Sequence, residues 1–219
     1  MAGTGWHRNR KTAPHKGRSI EVEPIRKRSD VLKIMDNLRK AGNPRDYALF
    51  CVGVSVGLRA TDLLKLRWGN VLTDDMNIKT KITIREHKTR KPRTIALGKK
   101  ARASLAALLP KPEKTGKLPD VDMDGFVFAS RQEGRKERTV GMTIQRLNQL
   151  VKEWIATVDL QGQFGTHTLR KTFSYHILKQ GSDIKALMKI LNHSSPGVTL
   201  RYAGIEQEDM DKVVLKLNW

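Results

Sequence analysis

The sequence predicts an α+β domain that is mainly α-helical and contains a small antiparallel β-sheet. Apolar residues recur at helical spacing from Ser29 onwards, and helical spacing returns in the last third of the chain. Between these parts, polar and β-branched residues alternate across residues 77–97. With 219 residues, of which 38% are hydrophobic, the chain can form one sizeable domain or one domain plus an extension.

The N-terminus predicts a basic and flexible arm over residues 1–28. This stretch holds eight Lys or Arg, two Glu and almost no periodic apolar residues. It is interpreted either as a solvated tail or as an arm that touches DNA. Residues 29–219 are predicted to form one domain, which ends in an amphipathic tail helix from about residue 206.

The first helices are marked by their capping residues. "SDVLKIMDNLRKAG" (29–42) begins with a Ser N-cap and ends at a Gly, and "PRDYALFCVGVSVGL" (44–58) opens with a Pro. The second of these helices is predicted to be largely buried. A short third helix is predicted over "ATDLLKLRWGNV" (60–71), whose leucines give it an inward face.

A change of periodicity predicts a β-hairpin with a basic turn across residues 77–97. Residues 79–102 carry ten Lys or Arg against one Glu, the densest basic block in the chain. The helix "KKARASLAALL" (99–109) and a linker rich in Pro and Gly should follow. "FVFAS" (126–130) predicts one more short strand.

The last third of the chain predicts three further helices and a short turn or helix that carries Tyr202. The three helices are expected over residues 139–158, 166–181 and 182–194.

The strongly basic composition predicts a polyanionic partner. Lys and Arg number 42 against 22 Asp and Glu, which gives a net charge of +20, and nucleic acid is the commonest partner of such a protein. The single cysteine, Cys51, excludes an internal disulfide and a multi-cysteine metal site. The longest apolar run is too short to cross a bilayer, and no signal peptide precedes it, so a soluble intracellular protein is expected.

Four separated stretches place candidate catalytic side chains beside apolar helical sequence. They are "GLRATDLLKLRW" with Arg59, "HKTRKPR" with Lys88, "HTLR" with His167 and Arg170, and "LNHSSPGVTLRY" with His193 and Tyr202. Taken singly, each has an ordinary interpretation, such as a core aromatic, a solvated lysine or a cation at a helix end.

Together these residue types suit chemistry at a phosphodiester. Two guanidinium groups can clamp the non-bridging oxygens, a histidine can transfer a proton, and a lysine can protonate the departing oxygen. A tyrosine hydroxyl can attack phosphorus to form a covalent intermediate. No close cluster of Asp and Glu occurs near these residues, so no Mg²⁺ site is expected and the cations would replace a metal.

In order and spacing, the four stretches resemble those of the catalytic domain of tyrosine recombinases, the phage integrase family. The resemblance runs from about residue 29 to 205, roughly four fifths of the chain. It implies that domain's fold, with Asp62 as the acidic companion of the first arginine. It implies a catalytic set of Arg59, Lys88, His167, Arg170, His193 and Tyr202.

The resemblance also implies a function. The expected activity is site-specific recombination or integration of DNA through a covalent 3′-phosphotyrosyl intermediate, with no cofactor and no metal. The expected partner is double-stranded DNA, bound by a homotetramer in the bacterial cytoplasm or nucleoid, and the protein would be of bacterial or phage origin. The tail helix would dock on a neighbouring protomer or pack on its own domain. The predicted DNA-binding residues are Arg85, Arg90, Lys91, Arg93 and Lys171.

Two features depart from the family pattern. Asn192 stands where the family commonly has Gly before the second histidine; Asn also tolerates the positive φ of a helix end, so little effect is expected. Only 28 residues precede the first predicted helix, which predicts no separate core-binding domain. The chain is then either a catalytic fragment or a naturally short enzyme.

Other functions compatible with the charge and the site remain open. A type IB topoisomerase shares this catalytic set and relaxes DNA without exchanging partners. A catalytically inert relative would bind DNA without forming a covalent adduct. A general RNA-binding module would explain the charge but leaves the four stretches unexplained.

Overall fold

The fold is described from a computed structural model, which covers residues 21–110, 120–130, 140–205, 209, 211 and 214–216. In this part of the chain the helices are α1 (Arg28–Lys40), α2 (Pro44–Val56), α3 (Ala60–Leu64), α4 (Trp68–Val71), α5 (Lys99–Ala106), α6 (Ile144–Ala156), α7 (Thr168–Lys179), α8 (Ile184–Leu191) and α9 (Pro196–Ala203). Strands β1 (Lys81–Arg85) and β2 (Pro92–Ala96) pair in antiparallel fashion. The predicted mainly helical α+β class is confirmed.

Helix α2 lies at the centre of the fold. Most of its residues are buried, and it packs against α1, α5 and α7. Gly53 permits the close approach of α7, because a Cβ atom there would lie 2.7 Å from Cδ1 of Leu169. A second, smaller apolar cluster joins α7 to α8 through Phe173, Leu187 and Leu191.

Two predicted elements differ from the structure. The helix expected over residues 60–71 is interrupted between α3 and α4, because the backbone there pairs with a distant segment. The N–H of Trp68 donates to Gly125 O and the N–H of Val127 donates to Leu66 O. Residues 126–130, predicted as a strand, form only isolated bridges such as Arg67 with Phe126.

The predicted N-terminal arm divides into two parts. Residues 1–20 lie outside the described residues, whereas residues 21–27 run extended along α7. Ile25 is buried, its N–H donates to Thr172 Oγ1 at 2.9 Å, and its carbonyl lies 3.0 Å from His176 Nε2. Arg26 Nη1 donates to Gly204 O at 2.7 Å. We call residues 21–27 the strap.

Much of the predicted tail helix lies outside the described residues, and Asp209, Asp211 and Val214 adopt helical conformation. Asp209 forms an ion pair with Lys179 of the same chain, with Nζ and Oδ1 2.5 Å apart. Within the described ranges, no helix has both the length and the apolar composition needed to cross a membrane.

Candidate active site

The end of α2 brings two arginines together. Gly57 closes this helix in the left-handed conformation, with φ 59°, and Arg59 is the N-cap of α3 two residues later. Arg170, in the first turn of α7, is buried and donates from Nη1 to Gly57 O at 2.9 Å. Its Nη2 donates to the carbonyl of Leu191, the last residue of α8, at 2.7 Å. Arg170 therefore satisfies carbonyl groups at the C-terminal ends of two helices.

Burial lowers the pKa of Arg170 to about 10, so its guanidinium remains charged at neutral pH. Two of its five N–H groups bond to these carbonyls, which fixes the orientation of the guanidinium in the site. The Arg59 guanidinium is a second positive charge, close enough to lower the pKa of His167 and His193. The two arginines provide an environment that favours a bound phosphate.

Tyr202 and His167 are in direct contact. The Tyr202 hydroxyl lies 3.3 Å from His167 Nδ1, and it can donate a hydrogen bond when the histidine proton is on Nε2. Burial lowers the pKa of His167, and the charges of Arg170, Lys171 and Arg59 lower it further. The imidazole is therefore neutral at pH 7 and able to accept a proton.

The Tyr202 ring itself is half-buried against the small apolar cluster of α7 and α8. Burial raises the pKa of its hydroxyl, and the positive charge of Arg170 opposes that rise. The Arg170 guanidinium lies 5.9 Å from the ring centroid and the Lys171 ammonium 5.4 Å from it. The phenol is consequently protonated at neutral pH and needs a base before it can attack.

His193 is presented by a left-handed turn at the end of α8. Asn192 has φ 54° and ψ 49°, the conformation that the sequence led us to expect at this position. His193 Nδ1 lies 3.2 Å from Thr199 Oγ1, and its ring centroid lies 5.1 Å from that of Tyr202. Burial and the charges of Arg170 and Arg59 lower the pKa of His193.

The acidic partner of Arg59 is Glu86, a residue that the sequence analysis missed. Arg59 Nη1 lies 3.1 Å from Glu86 Oε2, whereas Asp62 Oδ1 accepts a hydrogen bond from the N–H of His87 at 2.9 Å. Glu86 continues the alternation of the buried Ile82 and Ile84. Side chains of a strand alternate between its two faces, so Glu86 lies on the same inward face as these isoleucines. This alternation was the signal in the sequence for a buried acid.

Comparison with known proteins identifies the family. The sequence model described as "Phage integrase family" matches residues 27–208, which is most of the chain. The chain belongs to the phage integrase family. The predicted family is therefore confirmed.

Individual integrase relatives differ in how much of their length the chain covers. "Probable integrase/recombinase YoeC" of Bacillus subtilis is 33% identical over 189 residues, which are 85% of this chain and 92% of that protein. "Tyrosine recombinase XerD" of Listeria innocua is 28% identical over 74% of this chain, and the match spans 50% of that protein. The chain thus spans between 49% and 64% of the length of these XerC and XerD relatives.

Solved structures of the integrase family share the fold. The crystal structure of XerA recombinase superposes with a TM-score of 0.67 at 20% identity, over 90% of this chain and 65% of the other. The catalytic domain of bacteriophage HP1 integrase superposes with a TM-score of 0.54 at 21% identity, over 90% of this chain and 96% of the other.

The predicted DNA-binding residues fall into two groups. Arg85, Arg90 and Lys91 are exposed on the hairpin. Arg93 is instead paired with Glu86 at 3.2 Å, and Lys171 with Glu21 at 2.7 Å; each has a side chain at most 12% exposed. The structure therefore places these two cations in contacts with protein.

Lys88 lies exposed in the hairpin loop between β1 and β2. Among the residues that the structure describes, no contact joins it to Tyr202, His167 or Arg170. The structure thus places His167, Arg170 and His193 around Tyr202, and the charge of Arg59 acts on both histidines. Lys88 stands apart from this group, on the loop that adjoins Arg59 through Glu86.

Proposed function

We propose that the protein is a site-specific DNA recombinase that cuts and rejoins DNA through Tyr202. The contact between the Tyr202 hydroxyl and His167, at 3.3 Å, is the observation that supports it most directly. A bond forms between Tyr202 Oη and phosphorus while the bond from phosphorus to the 5′-oxygen breaks. The phenol proton passes to His167, and the departing 5′-oxygen takes a proton from Lys88. The reverse reaction rejoins the strand.

The remaining site residues have roles in binding the phosphate. Arg59, Arg170 and His193 hold the non-bridging oxygens and stabilise the charge of the transition state. Asp62 supports them indirectly through the N–H of His87. No metal is required in this scheme, because the guanidinium groups supply the positive charge that a metal would bring.

The DNA partner is supported by the charge of +20 and by the exposed cations of the hairpin. XerH, one of the structural neighbours, was solved bound to its difH substrate in pre-cleavage and post-cleavage complexes. We include in the proposal a homotetramer on DNA and association with the nucleoid. Sedimentation of the protein with a cleavable duplex tests the assembly state.

Selection from a library of nicked DNA duplexes tests the proposed reaction. A nick close to each candidate phosphate lets the 5′-hydroxyl fragment diffuse away, so that the covalent adduct accumulates. Wild-type protein should form an adduct that withstands denaturant and enriches a particular sequence, with the DNA attached at Tyr202. The variant Tyr202→Phe keeps the ring in the apolar cluster and should form none.

The same reactions distinguish the alternatives. Failure of wild-type protein to form an adduct at any sequence, with tight and salt-sensitive binding retained, would identify an inert DNA-binding relative. Adducts at many unrelated sequences, together with relaxation of supercoiled plasmid, would identify a topoisomerase. An adduct that Tyr202→Phe still forms would assign the nucleophile to another residue.

A further inference from the structure

Glu86 is a buried acid that contacts two arginines. It is 2% exposed and lies at the start of the hairpin loop. Its Oε2 is 3.1 Å from Arg59 Nη1, and its Oε1 is 3.2 Å from Arg93 Nη1. Arg93 in turn donates from Nη2 to Val56 O at 3.3 Å. The carboxylate therefore connects the hairpin with the end of α2 and with the first catalytic arginine.

The carboxyl group of Glu86 is ionised in this environment. Burial alone raises its pKa, but hydrogen bonds from Thr89 and Arg93 and the charge of Arg59 outweigh burial and bring the pKa below its ordinary value. A buried carboxylate without such partners would be strongly unfavourable, because its charge would be neither solvated nor paired. The contacts explain why an acid can occupy this inward-facing position of the hairpin.

Glu86 also fixes the loop that carries Lys88. Its N–H donates to Lys91 O at 3.0 Å, and its carbonyl accepts from the N–H of Arg90 at 2.9 Å. Its side-chain Oε2 accepts from Thr89 Oγ1 at 2.8 Å. Through these bonds the same residue holds both ends of the six-residue loop and the side chain beside Lys88. The carboxylate thus links the Arg59 guanidinium to the side chain of Thr89, the neighbour of Lys88.

We propose that Glu86 is a positioning residue that holds the Arg59 guanidinium and the Lys88 loop in one arrangement for the reaction at Tyr202. The expected effects on the cleavage rate rest on the proposed function. Glu86 contributes no contact to the phosphate, and its negative charge opposes that of the DNA. Removal of its charge should therefore lower the cleavage rate without lowering the affinity for DNA. A residue that binds DNA would instead lower the affinity.

The kinetic experiment uses the nicked duplex that wild-type protein converts to adduct most rapidly. Glu86→Gln keeps the shape of the side chain, but it loses the charge and replaces one acceptor oxygen with a donor NH2 group. We expect the single-turnover cleavage rate at saturating DNA to fall about ten- to a hundred-fold, as small misplacements of catalytic groups do. The Kd for the duplex should stay constant or fall by up to about five-fold, because a like charge has been removed. Glu86→Asp keeps the charge and should recover part of the rate.

The matched control is Glu153→Gln, which removes the same charge from an exposed ion pair with Arg146 on α6. It should leave both the rate and the Kd unchanged. A cleavage rate of Glu86→Gln within two-fold of wild type, or a loss of DNA affinity that accounts for the whole defect, would overturn the proposal. A smaller adduct yield at an unchanged rate would also overturn it, since that result indicates only a loss of folded protein.

A second measurement does not need DNA cleavage. In a ¹⁵N–¹H spectrum of arginine side chains, the Arg59 Nε–Hε signal is assigned by its loss in Arg59→Lys. Glu86→Gln should shift and broaden this signal, and Glu153→Gln should leave it unchanged. An unperturbed Arg59 signal in Glu86→Gln refutes the positioning role whether or not wild-type protein cleaves DNA. If the signal responds but wild type forms no adduct, the proposed function fails and the positioning of Arg59 by Glu86 stands.

A double-mutant cycle tests whether Arg93 influences Arg59 through Glu86. Arg93 touches Arg59 only through Glu86 in the contacts described, so its effect on the Arg59 signal and on cleavage should depend on that carboxylate. Arg93→Gln should reduce the cleavage rate in the wild-type background and have little further effect in Glu86→Gln. Fully additive effects would contradict transmission through Glu86.

Discussion

The hydroxyl of Tyr202 lies 3.3 Å from Nδ1 of His167, although the two residues are 35 positions apart in the chain. The surroundings act on the two groups in opposite directions. Burial raises the pKa of the tyrosine, whereas burial and neighbouring cations lower the pKa of the histidine. A protonated nucleophile therefore faces a neutral base at pH 7.

This pairing predicts how cleavage depends on pH. Below its pKa, His167 is protonated and cannot accept the phenol proton, so the cleavage rate should rise as pH increases through that pKa. Because the pKa is lowered, the midpoint of the rise should lie below the ordinary value of 6.5. Single-turnover rates on a nicked duplex between pH 5 and 8 measure it.

Two histidine variants assign this pH dependence. His167→Gln should reduce the rate and remove the rise, and His176→Gln, at a histidine that contacts the strap, should retain it. His193 also has a lowered pKa, so the variant His193→Gln shows how much His193 contributes to the rise of the cleavage rate with pH. A rise that persists in His167→Gln and disappears in His193→Gln would assign the base to His193.

Gly57 is predicted to be intolerant of a side chain. Its φ is 59°, and a Cβ atom would lie 2.5 Å from the Phe173 ring. Gly57→Ala should lower the free energy of unfolding by about 2–4 kcal/mol, from left-handed strain plus overpacking. Denaturant titration measures it. Gly42→Ala is the control, because Gly42 has φ 66° with nothing within 4 Å, and strain alone should cost about 1 kcal/mol. Equal losses would contradict the steric argument.

The Asn192 turn predicts a different outcome for two substitutions. Asn192→Gly should leave stability and cleavage nearly unchanged, because Gly adopts the same left-handed conformation. Asn192→Val should cost about 1–2 kcal/mol and displace the neighbouring His193, which lowers the cleavage rate. The control Lys185→Val places the same side chain at an exposed helical position of α8, where about 0.5 kcal/mol is expected. A harmless Asn192→Val would show that the turn does not constrain His193.

The two groups of predicted DNA-binding cations should differ in the salt dependence of binding. Lys91 is exposed and Lys171 is buried against Glu21. For a duplex of random sequence, Lys91→Gln should reduce the slope of log K against log salt by about 1. Lys171→Gln should leave the slope unchanged. If the two variants reduce the slope equally, Lys171 reaches a phosphate and the structural placement of its side chain does not hold on DNA.

Local sequence patterns were sufficient for most of the fold and for the family. Periods of 3.6 and 2 predicted the helices and the hairpin, because these patterns follow from helix and strand geometry. The stretches with Arg59, His167, Arg170 and Tyr202 carried the resemblance that the family match confirms. The left-handed turn at Asn192 was also predicted, since helix ends have local chemical preferences.

Features that depend on contacts between residues far apart in the chain could not be predicted from local patterns. The interruption between α3 and α4 arises from backbone pairing with residues 125–127. The basic composition of residues 1–28 suggested a flexible arm, yet the buried Ile25 and Pro24 secure the strap within it to α7 and α9. From the sequence, Arg93 was predicted to be a DNA-binding cation, whereas the structure pairs it with Glu86.

The strap has a consequence for how the protein is made. Ile25 bonds to Thr172 across 147 positions, and Arg26 bonds to Gly204 across 178. A ribosome therefore releases the strap before these partners, which are translated 147 and 178 residues later. Such long-range contacts form late in folding. The strap can secure the helix that carries Tyr202 only after Gly204 has been synthesised, so a nascent chain that ends before Gly204 would not hold this tyrosine in its reactive setting.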